Sequence, residues 1–151
     1  MAAWLLLNWS FQVEIVLIGL ILSLLLSLLF CSKCQLFSEL KLTPKAFAYT
    51  LIYIFVFLIE LVKANIDVTK RILSPNLPIN PGVVKVETTL NSKMARLILA
   101  NSITLTPGTF TIEIHDNALY IHWIDVKNSD VTEATEILAR KFETYLKEIY
   151  D

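Results

Sequence analysis

The sequence predicts a membrane protein with two N-terminal transmembrane α-helices, or three if residues 1–8 count as a span. A small α+β domain of order β-α-β-β-α follows them. Three observations carry this. Residues 15–31 run for seventeen positions without a charge. Extended back to Phe11, the run matches the roughly 20 residues that cross about 30 Å of hydrocarbon. Residues 47–62 are again apolar and aromatic, broken by Thr50 and Glu60. Beyond Pro81 the pattern changes to short alternating strands and amphipathic helices, which pack as helices against one sheet.

Composition agrees. Charged residues make up 18% of the chain and hydrophobic ones 55%, whereas a soluble domain carries roughly a quarter charged residues. Residues 1–75 hold six basic and four acidic side chains; residues 76–151 hold seven and ten, a net of −3. No basic patch suited to nucleic acid is visible.

Taken in order, residues 1–10 have no basic leader segment, and the apolar run after them is too long for a signal peptide. The first span covers about 11–31, with Trp4 and Trp9 suited to a headgroup belt at its entry. Residues 32–45 form a polar connection. Thr43-Pro44 then reads as an N-cap and first helical residue, opening a second span over about 46–63. An amphipathic helix continues to 73, its polar side carrying Lys63, Asp67, Lys70 and Arg71. This membrane region, 1–74, gives way to a Pro-rich linker, 75–82, containing Pro75, Pro78 and Pro81.

The domain occupies 83–151. Val84, Val86, Thr88 and Leu90 alternate with Lys85, Glu87 and Thr89 as a first strand. Ser92 can cap a helix from Lys93 to about Leu105, nearly continuously apolar and so expected to be buried on more than one side. Pro107 ends it and Gly108 supplies a corner. Phe110, Ile112 and Ile114 then alternate with Thr111, Glu113 and His115, turn chemistry follows at 116–118, and Leu119, Ile121 and Trp123 resume the alternation. Asp130-Val131-Thr132-Glu133 has capping-box spacing at the head of a long terminal helix.

The motifs in this order resemble the MnhE family, the E-type subunits of Mrp-type multisubunit Na+/H+ antiporters. The residues that carry the resemblance are E-L-V-K-A at 60–64, Pro81-Gly82, L-T-P-G-T at 105–109 (Leu105, Thr106, Pro107, Gly108, Thr109), and L-Y-I-H at 119–122, which includes His122. The resemblance departs at the N-terminus, where family members usually carry an additional hydrophobic segment. It implies an accessory, non-catalytic subunit of a cation/proton antiporter in a prokaryotic cell membrane, multi-pass, with the C-terminal domain in the cytoplasm. Its partners would be other integral membrane subunits and the lipid bilayer, with no nucleic acid, no substrate of its own and no cofactor. Relatives of that family also occur in the membrane arms of energy-converting hydrogenases and sulfur reductases.

Few residues invite a chemical reading. Glu14 is either an intramembrane carboxylate or a first-turn residue at the water interface, where it complements the helix dipole; its place at the edge of the run favours the second. Glu60 and Lys63, at i and i+3, form an ion pair or touch a neighbouring subunit's polar pathway. Cys31-Ser32-Lys33-Cys34 is a C-x-x-C at the end of a span, with no second ligand pair for zinc. His115 and His122 are expected about 10 Å apart on the hairpin, too far to share a metal. Ser102, Thr104, Thr106 and Thr109 surround the Pro-Gly corner without the G-x-S-x-G of a nucleophile elbow. The corner itself reads as a chain-redirecting turn rather than a ligand cradle. Two competing ideas are a membrane-anchored enzyme using His115 or His122, and a stand-alone interaction protein.

Overall fold

The computed structural model describes residues 2–8, 12–31, 41, 43–127 and 130–151. The chain falls into two compact units, Met1–Ser38 and Glu39–Asp151.

In the first unit, α1 (Ala2–Asn8) precedes α2 (Val13–Cys31). Trp4 closes the pair. Its indole Nε1 donates to the Ile15 carbonyl at 3.0 Å, and the ring lies over Gly19, where a Cβ would come within 2.4 Å of it. Only a residue without a side chain allows that approach.

The second unit opens with α3 (Pro44–Leu73). Thr43 caps it as the sequence predicts, accepting from the Ala46 amide at 3.1 Å, with Pro44 in the first turn. α3 is one continuous helix of 30 residues, about 45 Å long, and takes in both the apolar stretch over about 46–63 and the amphipathic turns that run on to 73. Among the described residues it is the one helix long and apolar enough to cross a membrane by length and composition, the apolar part of α2 being shorter.

The sheet is antiparallel with the order β1-β3-β2, built from β1 (Gly82–Glu87), β2 (Thr109–His115) and β3 (Ala118–Trp123). Helix α4 (Lys93–Leu105) lies between β1 and β2 in sequence, and Ser92 caps it by accepting from Ala95. The terminal helix is interrupted. α5 (Val131–Thr135) starts at Asp130, whose carboxylate takes the Thr132 and Glu133 amides. A π-helical turn, Glu136–Arg140, then re-phases the chain into α6 (Lys141–Tyr150).

Val84, Val86, Leu119 and Ile121 form the inner face of the sheet and pack on Leu99, Ile103, Phe142 and Leu146 from α4 and α6. The alternation in β1 and β3 therefore sorts inside from outside, although β1 ends at Glu87 and the buried Thr88 and Leu90, expected as part of the strand, lie beyond it. In β2 the alternation does not hold. Phe110 pairs with His122 on the outer face and Thr111 with Ile121 on the inner one, and a bulge between Thr111 and Glu113 then shifts the register so that Ile114 falls opposite Leu119; Phe110 and Ile112 are exposed and Thr111 is half-buried. One extra residue moves every later side chain to the other face. Helix α4 buries one side, Ala95, Leu99, Ala100, Ser102 and Ile103, and leaves Leu97 and Leu105 exposed. The chain itself covers that side.

Candidate functional site

The Leu105–Thr109 stretch is a closed system of hydrogen bonds. The carbonyls at a helix end have few intrahelical partners; Ser102 O and Ile103 O take the Thr106 amide, and threonine hydroxyls add further bonds to the carbonyls of the last turns. Thr104 Oγ1 donates to Ala100 O at 2.9 Å, Thr106 Oγ1 to Ser102 O at 2.8 Å, and Thr109 Oγ1 to Ile103 O at 2.6 Å. Thr111 Oγ1 adds a second donor to Ala100 O, while the Thr111 amide donates to Thr104 Oγ1. The hydroxyls thus sew the end of α4 to the start of β2. Gly108 sits at φ +91°, and a Cβ there would lie 2.9 Å from Ile124 Cγ2 and 3.4 Å from Val68 Cγ2. The corner is pressed between the sheet and α3, which is why glycine stands there.

The second feature is the seam along α3. Ala46, Tyr49, Tyr53, Phe57, Glu60, Ala64, Val68 and Arg71 recur at helical spacing, and the seam uses them from end to end. Tyr53 is buried and bonded to Ser102. Ser102 Oγ already donates to Ile98 O at 2.8 Å, so the tyrosine hydroxyl is the donor. Tyr53 and Phe57 both meet the Phe142 ring, at centroid distances of 6.3 and 6.4 Å. At the start of α3, Lys45 pairs with Glu148 at 2.6 Å. Further along, the Glu60 carboxylate receives Lys63 on one oxygen at 2.9 Å and Lys141 of α6 on the other. Near the end, Arg71 binds Asp67 at 2.8 Å, Asp125 at 2.9 Å and the Pro78 carbonyl at 2.7 Å. Glu60 and Lys63 therefore do meet, with Lys141 completing the group. The part of the chain expected as a linker, around Pro78, is tied down by Arg71 and by Asn80, whose amide donates to Ile124 O.

Beside the first turns of α3 lies a cavity of about 700 Å³, mostly apolar, with Lys41, Phe47, Tyr53, Ile98, Ile149 and Tyr150 among its walls. Burial pushes the Tyr150 phenol up from its ordinary range.

Sequence reasoning missed Glu143. It is 2% exposed in the middle of α6's buried face. Its Oε1 accepts from Thr88 Oγ1 at 3.0 Å and from the amide and hydroxyl of Thr89 at 2.5 and 2.7 Å; Oε2 takes Arg140 at 3.2 Å. The signal was there to read: a charge sits among Ala139, Phe142 and Leu146, positions that otherwise stay apolar.

The remaining candidates are dispersed. Glu14 is in the first turn of α2 and exposed. His122 is opposite Val83 and Phe110 on the outer face of the sheet; His115 is at the far end, opposite Ala118. Cys31 is the last residue of α2, while Cys34 lies outside the described residues. Among the described residues no group of three or more His, Cys, Asp or Glu gathers at metal-holding distance.

A family model described as Na+/H+ ion antiporter subunit matches residues 1–149. The chain belongs to the MnhE family. Relatives include the E1-type Na(+)/H(+) antiporter subunit of Staphylococcus haemolyticus, 35% identical with 97% of this chain and 89% of the relative covered. The E-type Na(+)/H(+) antiporter subunit of Bacillus subtilis is 38% identical over 63% of this chain and 60% of its own. Among solved structures, one chain of the membrane-bound sulfane sulfur reductase, an archaeal respiratory membrane complex, superposes with a TM-score of 0.79. It is 40% identical, and the match covers 97% of this chain and 91% of that one. The stretches that carry the resemblance are joints in this structure: the corner at 105–109 holds α4 to the sheet, and Glu60 of E-L-V-K-A holds α3 to α6.

Proposed function

We propose that this chain is a non-catalytic accessory subunit of a multisubunit cation/proton antiporter module in a prokaryotic cell membrane. It packs against larger integral membrane subunits that carry the ions and supports their assembly. In this reading α2, about 28 Å long, provides a membrane crossing, and the α+β domain stands on the cytoplasmic side. The observation that carries the reading is family membership over nearly the full length, shared with named antiporter subunits. The side chains suit a supporting part. Glu60 has both oxygens engaged by lysines of its own chain, and the 105–109 hydroxyls are spent on carbonyls of α4.

A second reading places the same chain in a respiratory reductase or hydrogenase arm. The 40% identity and 97% coverage with a chain of the sulfane sulfur reductase complex favour it. Gentle extraction from native membranes, followed by identification of the co-purifying proteins, separates the two. Large hydrophobic subunits without redox proteins would mean an antiporter; iron–sulfur or nickel subunits in the particle would mean a respiratory complex. Recovery of the chain alone would refute both, and Na+/H+ exchange by the purified chain in liposomes would refute the accessory role.

A further inference from the structure

Hydropathy alone makes α3 a second membrane crossing; its packing argues otherwise. The uncharged stretch at residues 46–59 is bounded by ion pairs to the domain, Lys45–Glu148 on one side and Glu60–Lys141 on the other. Those fourteen residues alone give about 21 Å, so a crossing of about 30 Å of hydrocarbon, which the whole helix is long enough to make, would have to draw Lys45 or Glu60 and their domain partners into it. The domain also follows the helix beyond this stretch. From Lys45, paired with Glu148, to Arg71, paired with Asp125, the contacts extend over about 39 Å of helix axis. A perpendicular α3 would carry Arg140, Lys141, Lys147 and Glu148 into the bilayer with it. Charges in that position are expensive even by the most lenient scales.

The outer side of α3 is the opposite in character. Phe47, Leu51, Phe55, Leu58, Ile59 and Val62 are exposed by 39 to 68% and form a continuous apolar face. Lys45, Lys63 and Lys70 line one border of it: the intervals of eighteen and seven residues are five and two helical turns. The Lys45 and Lys63 side chains are about two-thirds exposed, 65 and 67%, and so keep donors for the outside while each also pairs with a carboxylate, Glu148 and Glu60. An apolar face edged by one row of lysines is the pattern of a helix lying in the headgroup region of an anionic bilayer.

We propose that α3 lies along the membrane surface, its Phe47–Val62 face in the acyl boundary and its lysine row against anionic phospholipid headgroups, with the α+β domain held on the aqueous side. The chain then crosses the membrane one time fewer than hydropathy suggests. This rests on the reading of the chain as a membrane subunit.

The test is a depth profile. In the full chain, with Cys31 and Cys34 changed to Ser, single cysteines replace Phe47, Leu51, Phe55, Leu58 and Val62, all exposed. Each carries an environment-sensitive fluorophore in vesicles of mixed anionic and neutral phospholipid, and is quenched by lipids with nitroxides at graded depths. A surface helix gives a flat, shallow profile, with all five probes within about 5 Å of one another in depth. A crossing helix separates residues 47 and 62 by about 22 Å, and that profile would overturn the proposal. Absence of quenching at every position would equally overturn it, because the face would then be covered by protein. A second measurement does not depend on α3 variants. Lys147→Cys, on the exposed side of α6, should react with a membrane-impermeant maleimide in unsealed vesicles; protection there would contradict the proposal. A chain that fails to sediment with vesicles at all would instead defeat the membrane-subunit reading itself.

Discussion

Glu143 offers the sharpest test of how the domain is held. The carboxylate is 2% exposed and satisfies three donors on the β1–α4 connection plus Arg140. Hydrogen bonds to a charged group contribute about 1.5–3 kcal/mol each, but bonds that share one acceptor do not add. Glu143→Ala leaves the Thr88 hydroxyl and the Thr89 amide without their acceptor beside the core, so the expected loss is about 3–5 kcal/mol, the range for breaking a buried charged network. Glu143→Gln keeps the shape and retains an oxygen for the threonines. It loses the charge and sets an NH2 group toward the Arg140 guanidinium, an expected loss of about 1–2 kcal/mol. Arg140→Ala removes a partner whose side chain is 45% exposed and should cost under about 1 kcal/mol. The measurement is thermal unfolding of the full chain in detergent. For a unit the size of Glu39–Asp151, roughly 4 °C per kcal/mol gives a fall in Tm of about 12–20 °C for Ala and 4–8 °C for Gln. If Ala melts within a few degrees of wild type, or if Gln is as damaging as Ala, then Glu143 does not hold the corner.

Three further outcomes follow from the same geometry. Gly108→Ala forces a Cβ to within 2.9 Å of Ile124 at φ +91°, so Tm should fall by the equivalent of about 1–3 kcal/mol; an unchanged Tm would mean that the corner relaxes freely. Tyr53→Phe removes one donor while Ser102 keeps its bond to Ile98, a loss of about 0.5–1.5 kcal/mol by denaturant titration. A loss above that range would mean that the hydroxyl also organises the cavity wall. The ion pair with Lys45 holds the Glu148 carboxyl below its ordinary range. Its contribution is therefore present above the usual carboxylate pKa and lost as pH falls through the depressed folded value. The gap in Tm between wild type and Glu148→Gln should close over that acid interval, and a gap independent of pH would remove the assignment.

Much of the fold was legible because local rules agreed with the packing. Ser92, Thr43 and Asp130 cap the helices they precede, and the alternation in β1 and β3 sorts inside from outside. β2 departs from its pattern for a physical reason. Phe110 and Ile112 look like core residues, but Thr111 is the one that faces inward, opposite Ile121 and with its hydroxyl on the Ala100 carbonyl, and a bulge follows it. A hydrogen bond between elements outranks a two-residue period, and no pattern within the strand announces it. Glu143 was hidden in a similar way. Its donors, Thr88 and Thr89, lie more than fifty residues earlier in the chain, beyond the reach of any local spacing rule.

Helix α3 shows the converse, a strong local signal that answers a narrower question than it is asked. A hydropathy window averages all sides of a helix and so registers that residues 46–62 avoid water without telling what covers them. The side-by-side pattern does tell. Ala46, Tyr49, Tyr53 and Phe57 bring small and aromatic side chains, two of them with hydroxyls, to one face, and Glu60 follows them. Tyr hydroxyls are poorly placed in hydrocarbon but well placed against a protein that offers Ser102. Phe47, Leu51, Phe55 and Leu58, on the other face, carry no polar atom. One face is written for protein and the other for an apolar surface, and a charge, Glu60, sits on the protein face where α6 supplies Lys141. That asymmetry, rather than mean hydropathy, separates a helix bound along a surface from one surrounded by lipid.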